Sequence, residues 1–208
     1  MLTKTIKAMV AGAFSACVWM APANAAYIYN SGPGANQQGG TSVNTAQYVA
    51  VEVALDGPAT IGSIEAWLAV FNPGSLTISL HGSSGLTPGA QLHSKAVTLS
   101  TTTTADWYGV SGLDWTVDAG TYWISLIPDA VLSAALPTSP VGTDEVAIGG
   151  SGYGGGWFVP SKDYWDNENY AIRIGAAEEV AVAEPAMLGL VGVGVLGLAW
   201  RRRRTSAA

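Results

Sequence analysis

Four groups of residues have types and spacings that carry known chemistry. Gly150-Ser151-Gly152-Tyr153-Gly154-Gly155 has the form GxGxxG. In a dinucleotide site such glycines turn a strand into a helix whose N-terminus faces a pyrophosphate. Here Gly156-Trp157-Phe158-Val159-Pro160 comes next, which cannot open that helix, so the run is expected as a flexible surface loop. Asp163, Asp166, Asn167 and Glu168 gather oxygen ligands around Tyr164 and Trp165. Calcium takes such oxygens, which makes Asp163, Asp166 and Glu168 metal candidates. The spacing is not that of an EF-hand, and a solvated acidic loop is the preferred reading. The two histidines, His81 and His93, lack the GxSxG or HExxH context that would make either a catalytic base or a zinc ligand. The apolar residues of its segment take the face opposite His81, so solvent is its expected setting. Finally, Tyr153, Trp157, Tyr164 and Trp165 lie in polar or glycine-rich stretches. Exposed rings there would stack on sugar faces, whereas most aromatic residues simply fill cores and edges. No catalytic residue and no cofactor are expected. The acids are numerous, but no pair of carboxylates is singled out for hydrolysis.

The elements that must position these groups alternate with period two. Val49, Val51, Val53 and Leu55 share one face. Ile64, Ala66, Leu68 and Val70 oppose Glu65, Trp67, Ala69 and Phe71, so this strand is expected to be covered on both sides. Leu76, Ile78 and Leu80 oppose Thr77, Ser79 and His81. Tyr122, Ile124 and Leu126 repeat the pattern, as do Tyr170, Ile172 and Ile174. Such alternation predicts half-buried strands. Turn signals fall at Asp56-Gly57-Pro58, Asn72-Pro73-Gly74, Thr87-Pro88-Gly89 and Asp118-Ala119-Gly120. Only Asp129 to Leu136 suggests a short helix. The expected fold is all-β, an antiparallel β-sandwich of jelly-roll type.

The two ends read differently. Lys4 and Lys7 precede an apolar run from Ala8 to Met20, and Ala23-Asn24-Ala25 comes after it. This is the pattern of a secretory signal peptide, with Ala23 and Ala25 setting a cut after Ala25. The single cysteine, Cys17, lies inside that segment, so the exported chain would carry none. Near the other end, Ala186 to Trp200 is a run of fifteen residues with no polar side chain, succeeded by Arg201, Arg202, Arg203 and Arg204. As a helix it would span about 22 Å at 1.5 Å per residue, against about 30 Å of hydrocarbon. Arginine snorkelling and bilayer thinning close that gap at modest cost, and the arginines should stay on the cytoplasmic side. A short anchor of this kind suits a temporary hold. The expected division is therefore a signal peptide over 1–25, a β-domain over 26–177 and a linker with tail over 178–208.

Glu184-Pro185-Ala186, the apolar run and the terminal arginines together resemble a PEP-CTERM sorting signal. That resemblance implies export in a Gram-negative bacterium, an inner-membrane intermediate held by the C-terminal helix, and processing by exosortase. It also implies a final location at the cell surface or outside the cell. Ala183 stands where the family's first proline would be. The implied partners are signal peptidase, exosortase and exopolysaccharide. Between the ends, Ile61 to Ile64, Leu76 to Leu80, Leu86 to Gly89 and Ala119 to Leu126 are similar to the exported β-sandwich domains that precede such tails. From Ala26 to Ala183 there are three bases against fourteen acids, a net charge near −11. This argues against a nucleic-acid partner. The expectation is a non-enzymatic structural or interaction protein of the surface or extracellular matrix. A carbohydrate-binding module is the alternative, and a secreted hydrolase is less favoured.

Overall fold

The computed structural model describes residues 26–34, 40–139, 145–160 and 170–177. These contain eleven strands: β1 (Tyr27–Asn30), β2 (Thr41–Val43), β3 (Tyr48–Leu55), β4 (Ala59–Asn72), β5 (Gly74–Ser84), β6 (Thr87–Leu99), β7 (Asp106–Val117), β8 (Gly120–Pro128), β9 (Ser133–Leu136), β10 (Val146–Gly149) and β11 (Ile172–Ala176). One 3-10 turn, Ser151–Tyr153, succeeds β10, and no α-helix occurs among the described residues. All strand pairs are antiparallel.

One sheet runs β10-β3-β8-β5-β6. The other runs β1-β11-β4-β9-β2, with β7 also paired to β4. The long β4 serves two sets of neighbours: its first part pairs β11 and β7, and its last part pairs β9. The apolar faces of both sheets meet in one core. Val49, Val51, Val53, Leu76, Ile78, Leu80, Ile124 and Leu126 come from the first sheet, and Ile61, Ile64, Leu68, Val70, Ile172 and Ile174 from the second. The period-two pattern marks this face correctly in β3, β4, β5, β8 and β11, because a pleated strand sends alternate side chains to opposite sides.

Three expectations need correction. The segment from Asp129 to Leu136 is not a helix. The Asp129 carboxylate does accept from the amides of Val131 (3.0 Å) and Leu132 (2.8 Å), as a helix cap would, but it also accepts from Ser75 (2.9 Å). The chain then enters β9, whose buried Ala134, Ala135 and Leu136 lie between β4 and β2. Local capping chemistry has been used to tie a turn to the start of β5, and sheet pairing decides the conformation from Ser133 onward. Thr87-Pro88-Gly89 is strand rather than turn. The hairpin between β5 and β6 turns at Gly85-Leu86, where Gly85 takes a φ of 68°. β4 is only partly covered on its second side: Glu65 and Trp67 are half-buried and Phe71 is exposed.

β7 escapes the alternation pattern for a visible reason. Its pairing with β4 shifts between Ile61 and Ser63, and Gly112 has a φ of 61°. Gly109 lets the two backbones close up, since a Cβ there would fall 2.0 Å from the carbonyl oxygen of Ile64.

Candidate functional site

The ends of the folded body meet at one place. β1 pairs β11, with Tyr27 opposite Gly175. The Ala176 amide donates to the Ala26 carbonyl (2.9 Å), and the Ala177 amide donates to Thr60 (2.8 Å). Ser31 locks the same corner from inside. Its Oγ accepts from the Ile172 amide (2.8 Å) and donates toward the carbonyls of Ile172 (3.0 Å) and Tyr170 (3.2 Å). The fully buried Tyr170 hydroxyl bonds Thr41, and Ser139 Oγ donates to the Ser31 carbonyl (3.1 Å). An open groove of about 520 Å³, lined by Pro58, Thr60, Asp114, Thr116 and Ala177 among others, flanks this exit. The sequence assigns the residues before Ala26 to a leader and those after Ala177 to a linker and tail. Among the described residues the two ends of the body pair with each other through β1 and β11.

On the outer face of the β10-β3-β8-β5-β6 sheet a second, smaller apolar cluster forms. Ala50, Trp123 and Ala147 are its buried members, and Trp157 and Val159 pack over them. Trp157 stands edge-on to Tyr48 (5.2 Å between centroids, 78°) and to His81 (6.3 Å, 79°). His81 therefore corrects the expectation of a solvated side chain: it is only 6% exposed. The strand alternation does turn it away from the main core, but residues far along the chain return to cover it. Its Nδ1 lies 3.2 Å from the Gly89 carbonyl and its Nε2 lies 2.9 Å from Ser125 Oγ. A carbonyl can only accept, so the proton is assigned to Nδ1, and Nε2 accepts from the Ser125 hydroxyl.

A serine bonded to a histidine whose other nitrogen is oriented is the geometry of an activated nucleophile. Here the pair is enclosed. Ser125 is fully buried in the middle of β8, which is paired on both sides by β3 and β5. The backbone on both sides of it belongs to those ladders. Ser79, directly opposite Ser125, and Trp123, directly opposite His81, each bury a polar atom (Oγ and Nε1) without a partner among the described residues.

The glycine-rich run stands beside this cover. Gly150 carries a φ of 128° and Gly154 of 72°, and the amides of Ser151 and Gly152 bond the carbonyls of Thr45 and Ala46. The GxGxxG spacing thus makes a loop tied to a neighbouring loop. Tyr153 is 40% exposed, its hydroxyl donates to Gln47 Oε1 (3.2 Å), and its ring lies parallel to that of Phe158, 51% exposed, at 6.3 Å and 9°. Phe158 is not singled out by sequence, because its exposure depends on its bridge to Ile148 at the sheet edge. Of the four aromatic candidates, Tyr153 is exposed and Trp157 is half-buried, with its ring committed to packing. Tyr164 and Trp165 lie outside the described residues, as do the calcium candidates Asp163, Asp166 and Glu168. Among the described residues, no three metal-ligating side chains gather.

The outer face of the opposite sheet is built from charge. Arg173 of β11 gives Glu65 of β4 two hydrogen bonds, at 2.7 and 2.9 Å. Its guanidinium lies 4.3 Å from the centroid of Trp107 and 5.1 Å from that of Tyr27. Trp107 in turn meets Trp67 edge-on at 5.4 Å. Burial works against the Arg173 charge, but the hydrogen bonds and Coulomb attraction of Glu65, with help from Tyr27 and Asp106, hold its pKa above the ordinary value. This ladder staples β1, β11, β4 and β7 across the corner where the ends meet.

The signal-cleavage residues Ala23 and Ala25 and the tail residues Glu184, Pro185, Ala186 and Arg201 to Arg204 lie outside the described residues. Among the described residues no helix is long and apolar enough to cross a membrane. Comparison of the chain with protein families matches the PEP-CTERM protein-sorting motif over residues 181–204. No curated protein and no solved structure matches the chain.

Proposed function

We propose, for a chain that carries a PEP-CTERM sorting motif and is thereby an exported exosortase substrate, that the body is a non-enzymatic structural or interaction module. It is displayed at the cell surface or left in the extracellular matrix once the tail is processed. The fold is read as a β-sandwich of jelly-roll type, held briefly at the inner membrane by the apolar run from Ala186 to Trp200. Signal peptidase removes the leader after Ala25. The carrying observation is the closure of the body on itself: Ala26 bonds Ala176, and the sorting motif begins beyond the last strand. On this reading the core keeps its stability when either end is removed.

The test is cell fractionation with an antibody against the body, in cells with and without exosortase. The body should leave the inner membrane only when exosortase is present. Retention in both strains, or release in both, overturns the reading. Ala183→Pro, which restores the rigid Pro-Glu-Pro form, should speed processing, measured as the half-life of the precursor in a pulse-chase.

A second reading, contact with exopolysaccharide, draws support from the exposed, parallel rings of Tyr153 and Phe158. Sugar faces stack on such rings, and loops are where binding groups usually sit. A glycan array on the exported protein tests it, with the Tyr153→Ala, Phe158→Ala double variant as control. Binding lost in the variant supports this reading, and no binding by the parent chain removes it.

A further inference from the structure

An edge strand offers a row of unpaired backbone groups to any other strand, and natural sheets usually shorten, bend, cap or charge their edges to prevent this. In this molecule nearly every edge is so managed. β1 and β2 are four and three residues long. β10 is four residues long, and its open side is bridged by Phe158, whose amide and carbonyl both bond Ile148 (2.8 and 2.7 Å). β7 is long, but its pairing is bulged, Gly112 bends it, and Asp106 and Asp114 project from it as exposed charges. Lys95 also caps it, donating to the Ser111 carbonyl at 2.7 Å.

β6 is the exception. Among the described residues it pairs only with β5. Its register against β5 runs without a shift from His93 to Leu99, which gives a regular free edge longer than a typical strand of about 5–6 residues. Ser94, Ala96 and Thr98 are exposed along it, uncharged, and opposite Ser79, Thr77 and Ser75 on the outer face of the sheet. Its one charged side chain, the exposed Lys95, reaches to the Ser111 carbonyl of β7, and His93 stacks on Trp115 of β7 at 5.0 Å. Lys95 and His93 make their contacts with β7, which leaves Ser94, Ala96 and Thr98 as the uncharged row on the other face.

Charge then selects the occupant. No acidic residue occurs between Glu65 and Asp106, a stretch that contains all of β5 and β6. The rest of the exported domain carries the whole of its negative charge. Two copies of so acidic a body repel each other on most approaches. They do not when β6 faces β6. An antiparallel strand pair is self-complementary under a two-fold axis, so one edge supplies both halves of the interface. We infer that β6 is a self-association edge, which joins two copies into a continuous sheet of ten strands through antiparallel β6–β6 pairing. This inference does not depend on how the tail is processed. A tethered surface layer would favour it further by raising the local concentration.

Single cysteines test the geometry directly, because the chain's only cysteine, Cys17, lies in the leader segment. Directly opposed residues of an antiparallel pair have Cα atoms about 4.5–5.5 Å apart, within disulfide reach. The full-length chain is expressed in an exporting host as Ser94→Cys, Ala96→Cys or Thr98→Cys, with exposed Val131→Cys as the collision control. Mild oxidation should double the mass of at least one β6 variant on a non-reducing gel and leave the Val131 variant single. Sedimentation of the parent exported protein should show dimer increasing with concentration. The Ser94→Glu, Ala96→Glu, Thr98→Glu variant should remain monomeric at tenfold higher concentration. A parent that stays monomeric overturns the inference, as does a dimer that forms no disulfide at any of the three β6 positions.

Discussion

The two outer faces of this molecule are finished in opposite ways. Over the β10-β3-β8-β5-β6 sheet, neutral groups are buried: Trp123 is fully enclosed, and His81 and Ser125 satisfy each other beneath Trp157. Over the other sheet the Arg173–Glu65 pair keeps about a quarter of each side chain in water and stacks between Trp107 and Tyr27. One face is a second small core, made by bringing a distant loop back over the sheet. The other is a surface staple that joins the first strand to the last. Burial energetics should govern the first face and screened electrostatics the second.

The largest separation of the two should come from Trp123→Ala. Removing a fully buried ring from a packed cluster should cost about 3–5 kcal/mol, read from the midpoint of urea unfolding. His81→Leu should come next, at about 1–3 kcal/mol, because it leaves the Ser125 hydroxyl and the Gly89 carbonyl without their partner in a covered site. On the other face Glu65→Gln should cost about 1 kcal/mol or less, because the pair is partly solvated, and the effect should shrink as salt is added. A loss at Glu65 as large as that at Trp123 would erase the distinction between the faces. Tyr153→Ala should change stability by less than about 0.5 kcal/mol, as expected for an exposed ring, and should lower binding on the glycan array.

Asp129 supplies a pH test at neither face. Amides of Leu132, Ser75 and Val131 hold its carboxylate below the ordinary value of 3.8. A folded-state pKa below the unfolded one means stability that is present above that ordinary value and disappears as pH falls through the lowered one. Asp129→Asn should therefore lower stability near neutral pH, where the carboxylate's contribution is present, and flatten the acid limb so that variant and parent converge as pH falls through the lowered value.

The inward faces of β3, β4, β5, β8 and β11 are legible in the sequence because alternation reports direction. The cover over an outward side chain is not. His81 does point away from the main core, as its neighbours Leu80 and Ile78 require, but the lid comes from Trp157 and Val159, and no local pattern links segments so far apart. β9 is hidden behind the capping chemistry of Asp129, and β7 behind a bulge that breaks the period. The GxGxxG run is legible as a loop because Gly156 to Pro160 could not open a helix, yet its tie to Thr45 and Ala46 depends on tertiary contact. The sorting tail is legible for the contrasting reason that its signal is linear. Proline, apolar run and arginines act in order along the chain, and no fold is needed to bring them together.

The body's two ends pair with each other, and the sorting motif lies beyond the last described strand. Intact mass and thermal unfolding of the exported protein, taken from cells with and without exosortase, test both halves at once. The tail mass should be missing only when exosortase is present, and the two melting temperatures should coincide. Equal masses from the two strains, or a lower melting temperature for the trimmed form, would refute it.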